Sequence, residues 1–223
     1  MNGQDGVTST KKLLRHYMLA HRLRLASSYG SVVAKSLAES AVLLLRKLKY
    51  SYGYHKGMIV AGYWPIAGEV DVRPLLERLL CLGCRTALPV IEKNNALKFR
   101  IWTPRLKLEK GPHSTQQPPA GTPQVRPDVI LVPLLAFDSS GFRLGFGAGY
   151  YDRTLSLLRM RRKRKIVAIG IAFADQEISR VPRHRHDVAL DLIWRGWHRW
   201  NTIQPRRFIS VPLLDKQRMV KRQ

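Results

Sequence analysis

Residues 137–153 read FDSSGFRLGFGAGYYDR and form the most informative stretch of the chain. Gly145, Gly147 and Gly149 alternate, which lets the backbone approach a phosphate closely and turn its N–H groups inward. The string follows a run that reads as a buried strand and enters one that reads as a helix. Ligands of open α/β sheets bind at the carboxyl ends of strands, and helix N-termini favour anions. The spacing is neither a P-loop, since no Gly-Lys-Ser/Thr follows, nor the G-x-G-x-x-G of a dinucleotide site. Glycine spacing alone leaves a tight turn in a βα connection equally open. Lys11 and Arg15 lie one helical turn apart, so both side chains can share a face. An ordinary solvated helix face has the same pattern. Cys81-Leu-Gly-Cys84 has redox-like spacing but no thioredoxin-like context, and a zinc site would need two more ligands.

These groups need elements to position them. From Ser9 to about Tyr29, Leu13, Leu14, Tyr17, Met18 and Leu25 recur at helical spacing with basic residues between them, which predicts an amphipathic helix. Residues 31–49 predict a second helix. Residues 57–64 read as a strand ended by Pro65. Asp71 is placed to cap a helix running to about Leu82, with Pro74 in its first turn. Strands are expected over 85–91 and 98–102. Residues 109–126 are rich in Pro, Gly, Gln, Ser and Thr and read as a long loop. DVILVPLL at 128–135 and IVAIGIAF at 166–173 are continuous apolar runs, as strands buried on both faces require. A helix is expected over 150–160 and a last short strand over 190–194. Strands alternating with helices imply a single-domain, three-layer α/β/α fold with a mostly parallel central sheet. The domain is expected over 1–194, with a basic, irregular tail over 195–223.

The bulk composition bounds what such a domain can be. The 223 residues are 45% hydrophobic, enough for one sizeable core. No apolar run reaches the roughly 18–20 residues of a membrane helix, and residues 1–10 lack the apolar region of a signal peptide. A cytoplasmic protein without a membrane partner is expected, and two cysteines fit a reducing compartment. Lys and Arg number 39 against 15 Asp and Glu, formally +24. That field attracts phosphates of any kind. Part of the excess sits in RMRRKRK at 159–165, and the chain from Arg195 onward has eight Lys or Arg against Asp215. Charge runs are usually solvated faces or tails, so nucleic acid is expected to adhere only non-specifically.

Taken whole, the 137–153 string resembles the signature of the 5-formyltetrahydrofolate cyclo-ligase family. There an arginine, a Leu-Gly, alternating glycines and Tyr-Tyr-Asp follow a strand-Pro-x-x-x-Phe-Asp segment. The matching residues are Pro133, Phe137, Asp138, Gly141, Arg143, Leu144, Gly145, Gly147, Gly149, Tyr150, Tyr151 and Asp152. Lys11 and Arg15 match the Lys-x-x-x-Arg that opens the family's first helix. YWPIAGEVDVRPLL at 63–76 resembles its folate-side segment, with Glu69 at the acidic position. Val181, Pro182, His186, Asp187, Leu190 and Asp191 match its closing segment.

The resemblance implies an ATP-dependent, magnesium-dependent ligase that closes 5-formyltetrahydrofolate into 5,10-methenyltetrahydrofolate, releasing ADP and phosphate. An amide-like formyl oxygen leaves poorly, phosphorylating it makes it leave, and the neighbouring nitrogen then attacks the activated carbon. Phosphoryl transfer asks for in-line positioning and charge neutralisation more than covalent chemistry. The resemblance assigns catalysis to Lys11, Arg15 and Arg143. It assigns ATP to Lys11, Lys12, Leu13, Leu14 and Arg15, and to Arg143, Leu144, Gly145, Phe146, Gly147, Ala148, Gly149, Tyr150 and Tyr151. The folate falls to Trp64, Glu69, Phe146, Gly147, Ala148, Gly149 and Tyr150, and the Mg2+ to Asp152 and Asp187. His184-Arg-His186 looks ligand-like, but magnesium disfavours imidazole, so His186 is expected to serve at most a supporting role.

The pattern departs from the family at four places, one of them Trp194-Arg195-Gly196-Trp197, where a polar Thr-Glu is usual. The loop that covers the folate usually carries Gly-Pro-aromatic-Gly and Glu-Pro; here it reads Gly111-Pro112-His113-Ser114 and Gln117-Pro118. His184 stands at an acidic position before His-Asp. The resemblance implies a monomer acting on a small folate that carries a polyglutamate tail in some forms. A binding remnant of the family and a basic nucleic-acid-binding protein are the alternatives, the latter resting on charge alone.

Overall fold

The computed structural model describes residues 3–54, 56–92, 95–160, 166–195 and 200–202. The helices and strands follow in chain order as α1 (Gly3–Glu39), α2 (Ala41–Tyr52), β1 (Ile59–Ala61), α3 (Arg73–Cys81), β2 (Arg85–Val90), β3 (Lys98–Ile101), β4 (Glu109–Lys110), β5 (Gln116–Gln117) and β6 (Gln124–Val125). Then come β7 (Val129–Pro133), β8 (Ala136–Phe137), β9 (Arg143–Leu144), α4 (Tyr150–Met160), β10 (Val167–Ala172), β11 (Leu192–Arg195) and β12 (Trp200–Thr202).

The central sheet runs β12-β11-β10-β7-β1-β2-β3-β6. Its inner strands β11, β10, β7, β1 and β2 are parallel, and β12, β3 and β6 add antiparallel pairings toward the edges. Alternate residues of β7 serve opposite faces, as the strand period demands. Val129 and Leu131 face a cluster with Leu37, Leu44, Leu48, Leu75, Leu76 and Leu79 of α1, α2 and α3. Ile130 and Val132 face a second cluster with Leu155 of α4. Helices thus cover both faces, which is why β7 and β10 read as unbroken apolar runs. Each fully buried leucine contributes about 1.5–3 kcal/mol, so the leucine cluster anchors the three N-terminal helices.

The N-terminal helices divide differently from the expected 9–29 and 31–49. α1 continues through Gly30, because one interior glycine costs only about 1 kcal/mol and Val33, Ala34 and Leu37 extend its buried stripe. The break falls at Ser40, whose hydroxyl donates to the Leu37 carbonyl at 2.6 Å. α2 ends at Gly53, left-handed at φ 69°, whose N–H returns to Lys49 O at 3.0 Å. Asp71 lies two residues before the start of α3 and accepts the Arg73 N–H at 2.9 Å, so it serves the first turn from just outside. The expected loop over 109–126 contains a small β4–β5 hairpin and the edge strand β6. Trp200–Thr202 pairs with β11 and carries the sheet past the boundary expected at 194. Residues 161–165 and 203–223, the bulk of the two basic runs, lie outside the described residues.

Candidate active site

β1 continues toward β2 on one side and β7 toward β10 on the other, so their shared carboxyl ends form a switch point where open sheets bind ligands. A cavity of about 630 Å³ opens there. Tyr63, Trp64, Ile66, Ala67 and Glu69 line it from the segment after β1, and Pro133 and Leu134 from the end of β7. The glycine loop before α4, the His184–Asp187 turn, the hairpin loop at His113 and Thr8, Lys11 and Arg15 of α1 complete the walls.

α1 reaches the cavity with a charged stripe. Lys11, Arg15, Met18, Arg22 and Leu25 recur every four and three residues, so they share one face. Lys11, Met18, Arg22 and Leu25 are buried, while Leu13 and Tyr17 are 75% and 64% exposed. The amphipathic reading of this helix is therefore corrected. Its inward stripe includes cations, and two of the apolar residues assigned to its buried face point to solvent. Lys12 and Leu13 are exposed, and Leu14 packs against the small cluster of Met18, Leu135 and Leu144. Lys12, Leu13 and Leu14 do not line the cavity, because helical rotation turns them off the Lys11–Arg15 stripe.

The glycine loop meets this stripe directly. Arg15 Nε donates to the Gly145 carbonyl at 2.9 Å. Gly147 adopts φ 108°, and a Cβ there would sit 3.1 Å from the Arg15 guanidinium carbon. The glycine is thus required both by its backbone and by the approach of Arg15. Leu144, Gly145, Phe146, Gly147, Ala148, Gly149, Tyr150 and Tyr151 all line the cavity.

Two ion pairs stand behind the loop. Lys11 Nζ donates to Asp187 Oδ2 at 2.5 Å, and the His184 N–H reaches the same oxygen at 2.7 Å. Burial opposes ionisation of Asp187, but the Lys11 and His184 hydrogen bonds outweigh it and hold its carboxyl below the usual carboxylate range. Arg143 Nη2 donates to Asp152 Oδ1 at 2.8 Å, and the Val188 N–H donates to the same oxygen at 3.0 Å. None of these bonds uses Oδ2 of Asp152 or Oδ1 of Asp187. Among the described residues, no three His, Cys, Asp or Glu side chains converge as a closed metal cage. Two carboxylates with an oxygen outside these bonds, lining one cavity with the glycine loop, fit Mg2+, which takes one or two carboxylates and fills its remaining positions with phosphate and water.

The other end is built around Glu69. Its side chain is 5% exposed; Oε2 accepts the Ile66 N–H at 3.1 Å, and Oε1 lies 3.6 Å from Arg22 Nη1. Burial pushes its carboxyl up to about 7, against the opposing pull of Arg22 and the Ile66 N–H. Trp64 lines the cavity while Arg73 covers its ring at 4.7 Å. His113 lines it too, edge-on to Tyr150 with centroids 6.4 Å apart, as does His184. His113 and Ser114 both hold positive φ, at 57° and 61°. Gln117 instead turns away to accept the Ile91 N–H at 3.3 Å, and its neighbours Thr115 and Gln116 face the cavity.

Some signature residues serve the fold. Asp138 is 1% exposed and accepts N–H groups of Ser140, Phe142 and Val181 and the Arg183 guanidinium, pinning the β8–β9 hairpin. His186 accepts from Arg185 Nε outside the cavity. Burial pushes the Cys84 thiol up to about 11, away from the thiolate that redox or zinc chemistry needs. No helix of the described residues is long and apolar enough to cross a membrane. Sequence reasoning missed Arg22, although its place in the Lys11–Arg15–Met18 stripe was readable.

Comparison with known proteins converges on one group. A 5-formyltetrahydrofolate cyclo-ligase from Mycolicibacterium smegmatis is 33% identical over 189 residues, covering 81% of this chain and 91% of that protein. The Escherichia coli K12 protein of the same name is 34% identical over 140 residues, covering 60% of this chain and 75% of that one. The solved 5,10-methenyltetrahydrofolate synthetase of Aquifex aeolicus superposes with a TM-score of 0.65 at 30% identity, covering 91% of this chain and 96% of that chain. The Mycoplasma pneumoniae synthetase gives 0.62 at 28% identity, covering 82% and 96%. Residues 7–195 match the 5-formyltetrahydrofolate cyclo-ligase family, and the chain belongs to that family of ligases.

Proposed function

We propose that this chain converts 5-formyltetrahydrofolate to 5,10-methenyltetrahydrofolate at the expense of ATP, releasing ADP and phosphate. One observation carries the reading. Lys11, Arg15, the glycine loop, Asp152, Asp187 and Glu69 come from distant parts of the sequence, yet all line a single cavity.

Glu69 accepts N–H donors of the pterin edge and sets the folate in register, while Trp64 and Tyr150 bound its rings. Arg15, Lys11 and the loop amides around Gly147 hold the triphosphate in line with the formyl oxygen. The γ-phosphoryl group then passes to that oxygen; its bond to the β-phosphate oxygen breaks and ADP leaves. Arg15 and Lys11 neutralise charge on the transferring group, and Arg143 fixes the loop and Asp152. The neighbouring folate nitrogen attacks the activated carbon, the carbon–oxygen bond breaks, and phosphate departs together with that nitrogen's proton. Mg2+ held by Asp152 and Asp187 would supply charge neutralisation at the phosphates. Closing the cavity around the substrates keeps water from the activated formyl group. The same reading expects a cytoplasmic monomer.

The test is turnover. Purified protein with ATP, Mg2+ and 5-formyltetrahydrofolate is expected to form methenyltetrahydrofolate, followed by its absorbance, with matching ADP. Absence of both products at high enzyme concentration would remove this function and leave a binding protein of the same family.

A further inference from the structure

Arg22 is 1% exposed, and ordinary solvation cannot account for a charge placed there. Its side chain ties together the two loops that bound the folate end. Nη1 donates to the Leu134 carbonyl at the end of β7 at 3.0 Å. Nε and Nη2 donate to the Ala67 carbonyl after β1 at 3.2 and 2.9 Å. Ala67 holds φ 46° and Gly68 φ 75°, so the bonded carbonyl belongs to a tight turn that the Glu69 N–H closes on the Ile66 carbonyl at 3.0 Å, with a non-glycine residue in the left-handed region at its centre. The guanidinium carbon also lies 5.1 Å from the centre of the Phe146 ring in the glycine loop.

Carbonyls orient the guanidinium but do not balance its charge. Glu69 supplies the anion, with Oε1 3.6 Å from Arg22 Nη1. An arginine stays protonated in proteins, so the charge state of Glu69 is what can vary. Among the described residues, the other titratable groups facing Glu69 are Tyr63 and Tyr151, whose hydroxyls burial pushes up, leaving both neutral at pH 7. Arg22 is the cation that opposes the desolvation of Glu69. A protonated carboxyl would lose half of its capacity to accept the paired N–H donors of a pterin.

We propose that Arg22 is a positioning residue for Glu69, holding the Ala67–Gly68 turn against β7 and keeping Glu69 a charged acceptor for the folate. The inference rests on the folate reading of the cavity. It adds a specificity role for a side chain that touches no phosphate.

The experiment compares wild type, Arg22→Lys, Arg22→Met, Glu69→Gln and the Arg22→Met/Glu69→Gln pair. kcat/KM for 5-formyltetrahydrofolate and KM for ATP are measured between about pH 5.5 and 9, with folding followed by circular dichroism. Arg22→Met is expected to lower folate kcat/KM about tenfold or more at pH 7, with little change in the KM for ATP. Its acid limb is expected to move up by about one pH unit or more. Added to Glu69→Gln, it is expected to cost little further. Equal loss at every pH, parallel loss for ATP, or losses that multiply in the pair would overturn the proposal. Should the Met variant fail to fold, Arg22→Lys decides. It keeps the charge without the fork, so folate KM is expected to rise while the limb stays in place, and a displaced limb counts against the proposal. Wild-type protein that neither turns over nor binds 5-formyltetrahydrofolate by calorimetry would defeat the folate reading itself. Turnover with pH-independent Arg22 effects would defeat only this inference.

Discussion

Lys11 Nζ lies 2.5 Å from Oδ2 of Asp187, joining α1 to a loop 176 positions later in the chain. The lysine is almost enclosed, and an enclosed cation needs a compensating anion. A triphosphate offers Lys11 a second anion and leaves Asp187 available to a divalent ion. On the proposed reading, bare Mg2+ instead meets carboxylates already paired with Lys11 and Arg143. We therefore expect calorimetry to find weak Mg2+ binding without nucleotide and clear binding with it. Lys11→Met is expected to strengthen binding of the bare ion while lowering kcat/KM for ATP by roughly 10²-fold. Unchanged ATP kinetics would take Lys11 out of the phosphate site.

Asp152→Asn separates the charge of that residue from its scaffolding. Asp152 Oδ1 accepts from Arg143 and from the Val188 N–H. An asparagine carbonyl can accept both bonds, so the fold is expected to persist, but the nearly enclosed Arg143 loses its anion and the melting temperature is expected to fall. The negative charge available to Mg2+ is lost, and kcat is expected to fall roughly 10²–10³-fold. Raising Mg2+ should recover part of that loss, measured as ADP released against metal concentration. Full activity at ordinary Mg2+ would show that Asp152 serves only Arg143 and the loop.

Gly147→Ala tests the contact between the glycine loop and the first helix. The residue holds φ 108°, where a side chain costs about 1–3 kcal/mol. Its new methyl would also press on the Arg15 guanidinium, 3.1 Å from the ideal Cβ position. We expect a lower melting temperature and a KM for ATP raised about tenfold or more, with a smaller change in the KM for folate. Equal changes in both constants would show that the loop does not discriminate the two ligands.

The parallel core was legible because β7 and β10 are continuous apolar runs, and such runs have few alternatives. α4 matched its expected span for a similar reason, since the glycines before Tyr150 mark where the helix begins. The α1–α2 boundary was not legible. Gly30 is the stronger breaker by propensity, but packing of Leu37 and its neighbours overrode it and moved the break to Ser40. The glycine-loop end of the cavity could be read from its motif. The Glu69 end could not be read fully, since Arg22 looks like any basic residue of a helix rich in them. Its burial follows from the positions of Met18 and Leu25, three or four residues to either side, and from two loops distant in sequence. The turning of Gln117 away from the cavity, with Gln116 facing it, depends on the β4–β5 pairing that composition alone does not reveal.

Glu69→Gln links the Glu69 end of the cavity, the proposed folate end, to stability. Burial raises the Glu69 carboxyl from an ordinary value of 4.5 to about 7. The raised value means that the folded protein binds a proton more tightly than the unfolded chain. The favourable contribution of protonated Glu69 is therefore complete below about pH 4.5 and is lost as pH rises through about 7. Glutamine mimics the protonated form at every pH. The stability of the variant relative to wild type is thus expected to improve between those limits, by on the order of 3 kcal/mol, and then to level off. Denaturant unfolding at a series of pH values measures this directly. Above about pH 7, where Glu69 is ionised in the folded protein, the variant is expected to bind 5-formyltetrahydrofolate more weakly than wild type, since the charged acceptor is gone. A stability difference that stays constant with pH would mean that Glu69 ionises as readily in the folded protein as in the unfolded chain, and the carboxylate would no longer be a strained element of the folate end.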